Sequence, residues 1–198
     1  MYHIRPQFLS MFPSARSSPT GRWGSLSLGK RVRVRVNSDT RLSSFFIPLM
    51  SEYVMLIVSG AKALSSFKSK RLLADLQAVQ PSIVGLTSRF VHVVAVNHDL
   101  DDHEQQQLHE LLHYGEEFNA EGFGEGEFDA VFVITPRIGT ISPWSSKVTD
   151  IARNSGLDKV QRVERVTVYW LQTTSELSTE QRQVVAAKLH DRMTQSVL

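Results

Sequence analysis

The 198-residue chain contains no cysteine. That excludes a disulfide framework, a thiolate metal site and a cysteine nucleophile, and it leaves His and carboxylates as metal ligands. A membrane-length apolar run is also missing. The most apolar stretch, residues 45–58, is broken by Pro48, Ser51 and Glu52, whereas a bilayer span needs about 20 apolar residues. Acids are nearly absent from the first 49 residues, where seven Arg and one Lys face the single Asp39. This leader therefore carries +7 of a net +2, and residues 50–198 carry −5. The basic excess belongs to the leader alone, and a mildly acidic body argues against binding a phosphate backbone. Neither nucleic acid nor a membrane is expected as a partner.

With 41% hydrophobic and 21% charged residues, the composition is that of an ordinary soluble protein of one or two compact domains. Residues 1–49 are rich in Ser and Arg, with Pro6, Pro13, Pro19 and Pro48 scattered among them and no helical period. They read as a disordered extension or a start placed too early, with Met50 the natural beginning; the acid-poor composition also resembles a transit peptide. Arg31-Val32-Arg33-Val34-Arg35-Val36 alternates like a strand, but a lone strand without partners is not stable.

From residue 53 the pattern becomes orderly. Residues 53–58 predict a buried strand, and residues 61–79 a helix with Leu64, Phe67, Leu72, Leu76 and Val79 on one broad face. Ile83–Val96 predicts two strand segments around Thr87-Ser88-Arg89. Asp101 and Glu104 form a capping box before the stripe Leu108, Leu111, Leu112, with Gly115 as terminator. Residues 116–129, with six acids and Gly122, Gly124 and Gly126, read as a solvated loop. A strand over 130–134, a helix over Pro143–Asn154 closed by Gly156, and a strand over 160–171 follow. Ser178 and Gln181 make a second capping box, opening a helix with Val185, Leu189 and Met193. The order β-α-β-α-β-α-β-α predicts an α+β sandwich and is compatible with two related β-α-β halves, although no residue-level repeat is visible.

Two motifs point to chemistry that their surroundings do not support. His109-Glu110-Leu111-Leu112-His113 is a literal H-E-x-x-H on a helix, the pattern by which two His grip zinc while Glu activates a water. Gly115 ends that helix at once, and Glu117 and Glu121 lie too close in sequence to serve as the third ligand of a zincin, so two boundary histidines are expected and a zinc metalloprotease is the remote alternative. Gly122-x-Gly124-x-Gly126 precedes a strand rather than a helix, and its interleaved Glu residues would repel phosphate.

The informative stretch is Thr135-Pro136-Arg137-Ile138-Gly139-Thr140-Ile141-Ser142-Pro143-Trp144-Ser145-Ser146-Lys147-Val148-Thr149-Asp150-Ile151-Ala152-Arg153-Asn154. It follows a buried strand and opens a helix, with Ser142 as N-cap and Pro143 at the first helical position. Free backbone N–H groups, short hydroxyls and two cations near one helix end suit an anion. This wording resembles the hallmark of the amino-terminal domain of large, single-chain phosphoribosylformylglycinamidine synthases. The likeness continues through Gly60 with Ala63-Leu64-Ser65-Ser66-Phe67, Arg89-Phe90-Val91-His92, Leu111-Leu112-His113-Tyr114-Gly115, Val163-Glu164-Arg165 and Leu189-His190-Asp191-Arg192-Met193. It covers residues 53–198; residues 1–49 match nothing in the family.

The resemblance implies an α+β domain similar to a dimer of the small subunit of split bacterial enzymes, over residues 50–174, with residues 175–198 starting a helical linker. It implies a scaffold portion of the ligase that converts formylglycinamide ribonucleotide to its amidine in cytoplasmic purine biosynthesis, with ATP, magnesium and glutamine-derived ammonia used by the whole enzyme. The synthase and glutaminase domains, with the latter's Cys-His-Glu triad, have no counterpart here, so the chain alone is expected to be inactive, with those domains as partners and no cofactor of its own. The alternative is a free-standing interaction or regulatory module of the same fold. Thr135, Arg137, Thr140, Ser142, Trp144, Ser145, Ser146 and Lys147 are the candidate residues of a substrate-facing or domain-docking loop.

Overall fold

A computed structural model describes residues 31–32, 54–118 and 128–198. The described elements are strands β1 (Arg31–Val32), β2 (Val54–Lys62), β3 (Ile83–Val96), β4 (Phe128–Pro136), β5 (Val160–Thr173) and β6 (Gln195–Val197), with helices α1 (Ser66–Val79), α2 (Asp102–Leu112), α3 (Pro143–Asn154) and α4 (Thr179–Leu189). They make an α+β fold on one antiparallel sheet of order β1-β2-β3-β5-β4-β6. The remaining leader and the glycines 122, 124 and 126 lie outside the described residues.

Each boundary has a local cause. The helix expected from residue 61 starts at Ser66, because Lys62 still pairs with Arg89 and Ala63 N–H donates to the Ser88 carbonyl. Ser65 is the N-cap, its side chain accepting from the Lys68 N–H. The two segments expected within 83–96 are one strand, since Thr87, Ser88 and Arg89 each face a β5 partner, Trp170, Tyr169 and Val168. Both capping boxes form, Asp101 with Glu104 and Ser178 with Gln181. Gly115 and Gly156, at φ 82 and 89, carry the chain out of α2 and α3. Met193, expected on the last helix, lies beyond it and is 75% exposed. Beyond it, the unforeseen β6 pairs with the outer edge of β4.

The halves repeat with one offset. Ser66 to Pro143, Ile83 to Val160 and Asp102 to Thr179 are each 77 residues apart. Adding that offset to Ile83 and subtracting it from its partner Thr173 returns the pair Val160↔Val96, so the central ladder maps onto itself about the pair Phe90↔Thr167. The first strands differ by 74, Val54 to Phe128. The three extra residues fall in the loop before α3, residues 137–142, against 63–65 before α1. In this register a residue-level repeat does appear, contrary to expectation. Leu64-Ser65-Ser66-Phe67-Lys68-Ser69-Lys70 lies over Ile141-Ser142-Pro143-Trp144-Ser145-Ser146-Lys147, and Leu112-His113 over Leu189-His190.

Alternation in the strands gives the sheet two apolar faces. On one, α1 and α4 cover Ile83, Phe132, Ile134 and Leu171, while α2 and α3 cover Val94, Val96, Val160 and Val163. Burying a side chain such as Leu76, Leu108 or Leu112 contributes about 1.5–3 kcal/mol. The other face carries Met55, Val91, Val93, Val133, Val166, Val168 and Trp170, with Phe118 and Leu198 against it.

Candidate functional site

The hallmark stretch builds a junction between α3 and an incomplete strand edge. β4 pairs with β5 only as far as Ile134↔Thr167, so among the described residues the outer edge of β5 before Thr167 has no strand beside it. Side chains one turn apart on α3 take that place. Ser145 Oγ donates to the Val163 carbonyl at 2.6 Å, and the Val163 N–H donates to Thr149 Oγ1 at 2.9 Å. Arg153 donates from Nε to the Val160 carbonyl at 3.1 Å and from Nη2 to the Gln161 carbonyl at 2.9 Å. Small hydroxyls at these positions let the helix approach the strand and satisfy backbone groups that burial would otherwise leave unpaired.

At the mouth of α3, Ser142 works in two directions. Its Oγ accepts from the Ser145 N–H at 3.0 Å and donates to Glu164 Oε1 at 2.8 Å. Glu164 is fully buried; it also accepts from Arg162 Nη2 at 2.9 Å and from the Arg165 N–H at 3.1 Å. Arg162 Nη2 donates to the Thr140 carbonyl at 3.2 Å as well, tying the loop to β5. A buried carboxylate is tolerable only when paired and hydrogen-bonded in this way.

Beside it lies an aromatic nest drawn from four places in the chain. Trp144 stacks on His92 with centroids 5.5 Å apart and planes at 20°, and it tilts against Tyr114 at 6.4 Å. His92 Nε2 is 2.7 Å from the Tyr114 hydroxyl. The Arg165 guanidinium sits 4.3 Å from the Phe90 ring centroid and 4.7 Å from that of Trp144, and it donates to the Tyr114 hydroxyl at 3.3 Å. Burial, reinforced by the Arg165 and Arg89 charges, pushes the His92 pKa down to about 4, so the ring is neutral at physiological pH. Gly60 closes the nest, for a Cβ there would lie 2.5 Å from His92 Cε1 and 3.1 Å from the Phe90 carbonyl oxygen.

The candidate residues therefore divide. Thr135 is buried, its Oγ1 donating to the Pro136 carbonyl at 3.0 Å; Ser145 is buried, and Ser142 and Trp144 are half-buried against β5 and the nest. Arg137, Thr140, Ser146 and Lys147 are exposed. Thr140 closes a turn on the Arg137 carbonyl through its N–H at 3.0 Å and its Oγ1 at 2.6 Å, around Gly139 at φ 81. Ile138 and Ile141 on this turn are 48% and 63% exposed.

Sequence reasoning gave His92, Tyr114, Glu164 and Arg165 no role, because nothing local marks residues so far apart in the chain. The one local signal was His92, an imidazole set in the apolar end of β3 between Val91 and Val93. His109 and His113 stack on one another, centroids 5.9 Å apart, and Glu110 accepts from Gln106 Nε2 at 3.1 Å. Among the described residues no group of three or more His, Asp or Glu is placed to hold a metal.

Residues 89–198, from Arg89 on β3 through the nest, α3 and β6, match the family described as formylglycinamide ribonucleotide amidotransferase N-terminal.

Proposed function

The chain belongs to the formylglycinamide ribonucleotide amidotransferase N-terminal family of purine biosynthesis, and from that premise we propose that it is the amino-terminal scaffold of the ATP- and glutamine-dependent phosphoribosylformylglycinamidine synthase. On this reading it is inactive alone and works by docking the synthase and glutaminase domains in the cytoplasm. ATP, magnesium and glutamine are then used by those domains. Among the described residues no helix is long and apolar enough to cross a membrane.

The observation that carries the docking role is the division of the hallmark stretch into two sides. The inward side, Ser142, Trp144, Ser145 and Thr149, is occupied with β5 and the nest. That leaves Arg137, Ile138 and Ile141 exposed on a turn braced by Arg162, with Lys147 exposed on the second turn of α3 beside it. Two exposed isoleucines on a rigid turn suit an apolar seat on a partner. The two cations suit a phosphorylated substrate or an acidic rim.

Reconstitution with the remaining domains separates these roles. Ile138→Ala with Ile141→Ala is expected to weaken assembly and leave the chemistry of assembled enzyme normal. Arg137→Ala and Lys147→Ala are expected to raise KM or lower kcat with assembly intact, if the cations face substrate. Normal assembly and normal kinetics in all of them would remove the proposal for this loop.

A further inference from the structure

Helix α1 occupies the position in the first half that α3 occupies in the second, yet its aromatic residue behaves differently. Trp144 turns into the nest formed by His92, Tyr114 and Arg165. Its counterpart at the 77-residue offset, Phe67, is 73% exposed. The counterpart of His92 in that half is Tyr169, which is 8% exposed and packs among Leu76, Phe132 and Leu171. Tyr169 carries a larger ring than His92 and is packed in the cluster beneath α1, while Phe67 stands outside that cluster. Helical geometry fixes the same outcome. Leu76, nine residues on and fully buried, stands half a turn around the axis from Phe67.

Phe67 does not stand alone. At 3.6 residues per turn, Ala74 and Ala78 continue its line along α1, with Lys70 and Arg71 on either side, and all are exposed. The alanines leave the stripe low enough for another surface to approach the helix closely. Lys68, Lys70 and Arg71 crowd its first two turns, and no acid stands in the first turn. Cations near the positive end of a helix are unfavourable for the isolated domain. Asp75 is the only acid on the helix. The equivalent stretch of α3 begins Pro-Trp-Ser-Ser and carries one cation, Lys147, in its first two turns.

We infer that the outward face of α1 is a second docking surface, on which Phe67 inserts into an apolar pocket rimmed by acidic side chains on the remainder of the synthase. The inference rests on the scaffold reading above. An exposed phenyl ring flanked by cations is the arrangement of an anchor residue with electrostatic steering around it. An acidic rim would also relieve the repulsion between the three cations and the helix dipole.

The test mixes this chain with the separately produced synthase–glutaminase remainder and measures affinity by titration calorimetry at low and high salt. Phe67→Ala is expected to weaken binding at least about tenfold, the size of an anchor residue. Lys70→Glu with Arg71→Glu is expected to weaken it at low salt and flatten its salt dependence. Both variants should melt like the parent, since none of the three side chains is buried. Parental affinity in both, with Ile138→Ala and Ile141→Ala still weakening assembly, would overturn the α1 surface and leave the scaffold reading standing. No binding by the unaltered chain would remove both. Self-association lost on Phe67→Ala, or retention of a single-stranded oligonucleotide by the same face without effect on assembly, would likewise overturn it.

Discussion

Gly60→Ala offers a sharp test of the nest. The glycine lies outside the left-handed region of φ, so its backbone accepts an alanine, and the whole penalty is steric. A Cβ placed 2.5 Å from His92 Cε1 is about 1 Å inside the ordinary carbon contact of about 3.5–4.0 Å. The ring has little freedom to retreat. Trp144 stacks over it, and the Tyr114 hydroxyl holds Nε2 at 2.7 Å. The Phe90 carbonyl, 3.1 Å from the same Cβ, belongs to the central strand and is fixed by its ladder. Overpacking of this kind costs about 1–3 kcal/mol, and a pinned ring places Gly60→Ala in the upper half of that range. His92→Ala alone empties the seat of the Trp144 stack and should cost about 2–3 kcal/mol, at the lower end for large-to-small core changes. The pair should not add. With the ring gone, the methyl introduced at position 60 occupies space that the deletion created, and the double variant should be more stable than the sum by about 1–3 kcal/mol. Urea unfolding followed by far-ultraviolet circular dichroism gives all four stabilities. Additivity within about 0.5 kcal/mol would mean that residue 60 does not touch the ring, and the packing described for the nest would be wrong.

Three further expectations follow from the same contacts. Thr149→Val keeps the shape of the side chain but strands the buried Val163 N–H, and should cost about 1–3 kcal/mol in thermal unfolding; an unchanged melting temperature would mean that the strand edge finds another acceptor. His92 is neutral in the fold with a pKa of about 4, lowered from the ordinary 6.5. Its contribution is therefore complete above pH 6.5 and is lost as pH falls toward 4, by about 3 kcal/mol in all; His92→Phe should flatten that part of the stability–pH curve, and an unaltered slope would refute the assignment. The stacked pair His109 and His113 should bind zinc no better than any exposed pair, so metal analysis of purified protein should find no stoichiometric zinc; stoichiometric zinc lost on His113→Ala would refute this.

Local chemistry was the legible part of the sequence. Ser142 before Pro143, Asp101 before Glu104 and Ser178 before Gln181 fixed three helix starts, because a cap is decided by side chains within one turn of the backbone they serve. Element order and the α+β class followed from the same punctuation. The repeat was hidden for a countable reason: three extra residues before α3 shift the first strands out of the register that the rest of each half keeps. Phe67 was misread because grouping it with Leu76 asked one face to span half a turn of helix, and the packed sheet buries the Leu76 side of that span. The nest was illegible for a different reason. His92, Tyr114, Trp144 and Arg165 meet only after β3 and β5 have paired, and no spacing along the chain encodes that meeting. The hydroxyls of the hallmark stretch read as an anion cluster, but Ser142, Ser145 and Thr149 are directed at β5, whose incomplete edge is a property of the sheet rather than of the stretch itself.

The central ladder also governs how the chain is made. Ile83 and Val160 begin strands that lie side by side, 77 residues apart. A ribosome adding about 5–20 residues per second finishes β3 roughly 4–15 s before β5 has emerged to pair with it. Throughout that interval the longest edge among the described strands is open, and it is rich in valine, the kind of edge that templates association with another chain. Among the described residues none of the paired strands is joined by a tight hairpin, so contact order is high and folding belongs to the slower part of the range for small domains. Yield of the intact domain should accordingly depend on translation speed and on holdase chaperones more than on its final stability.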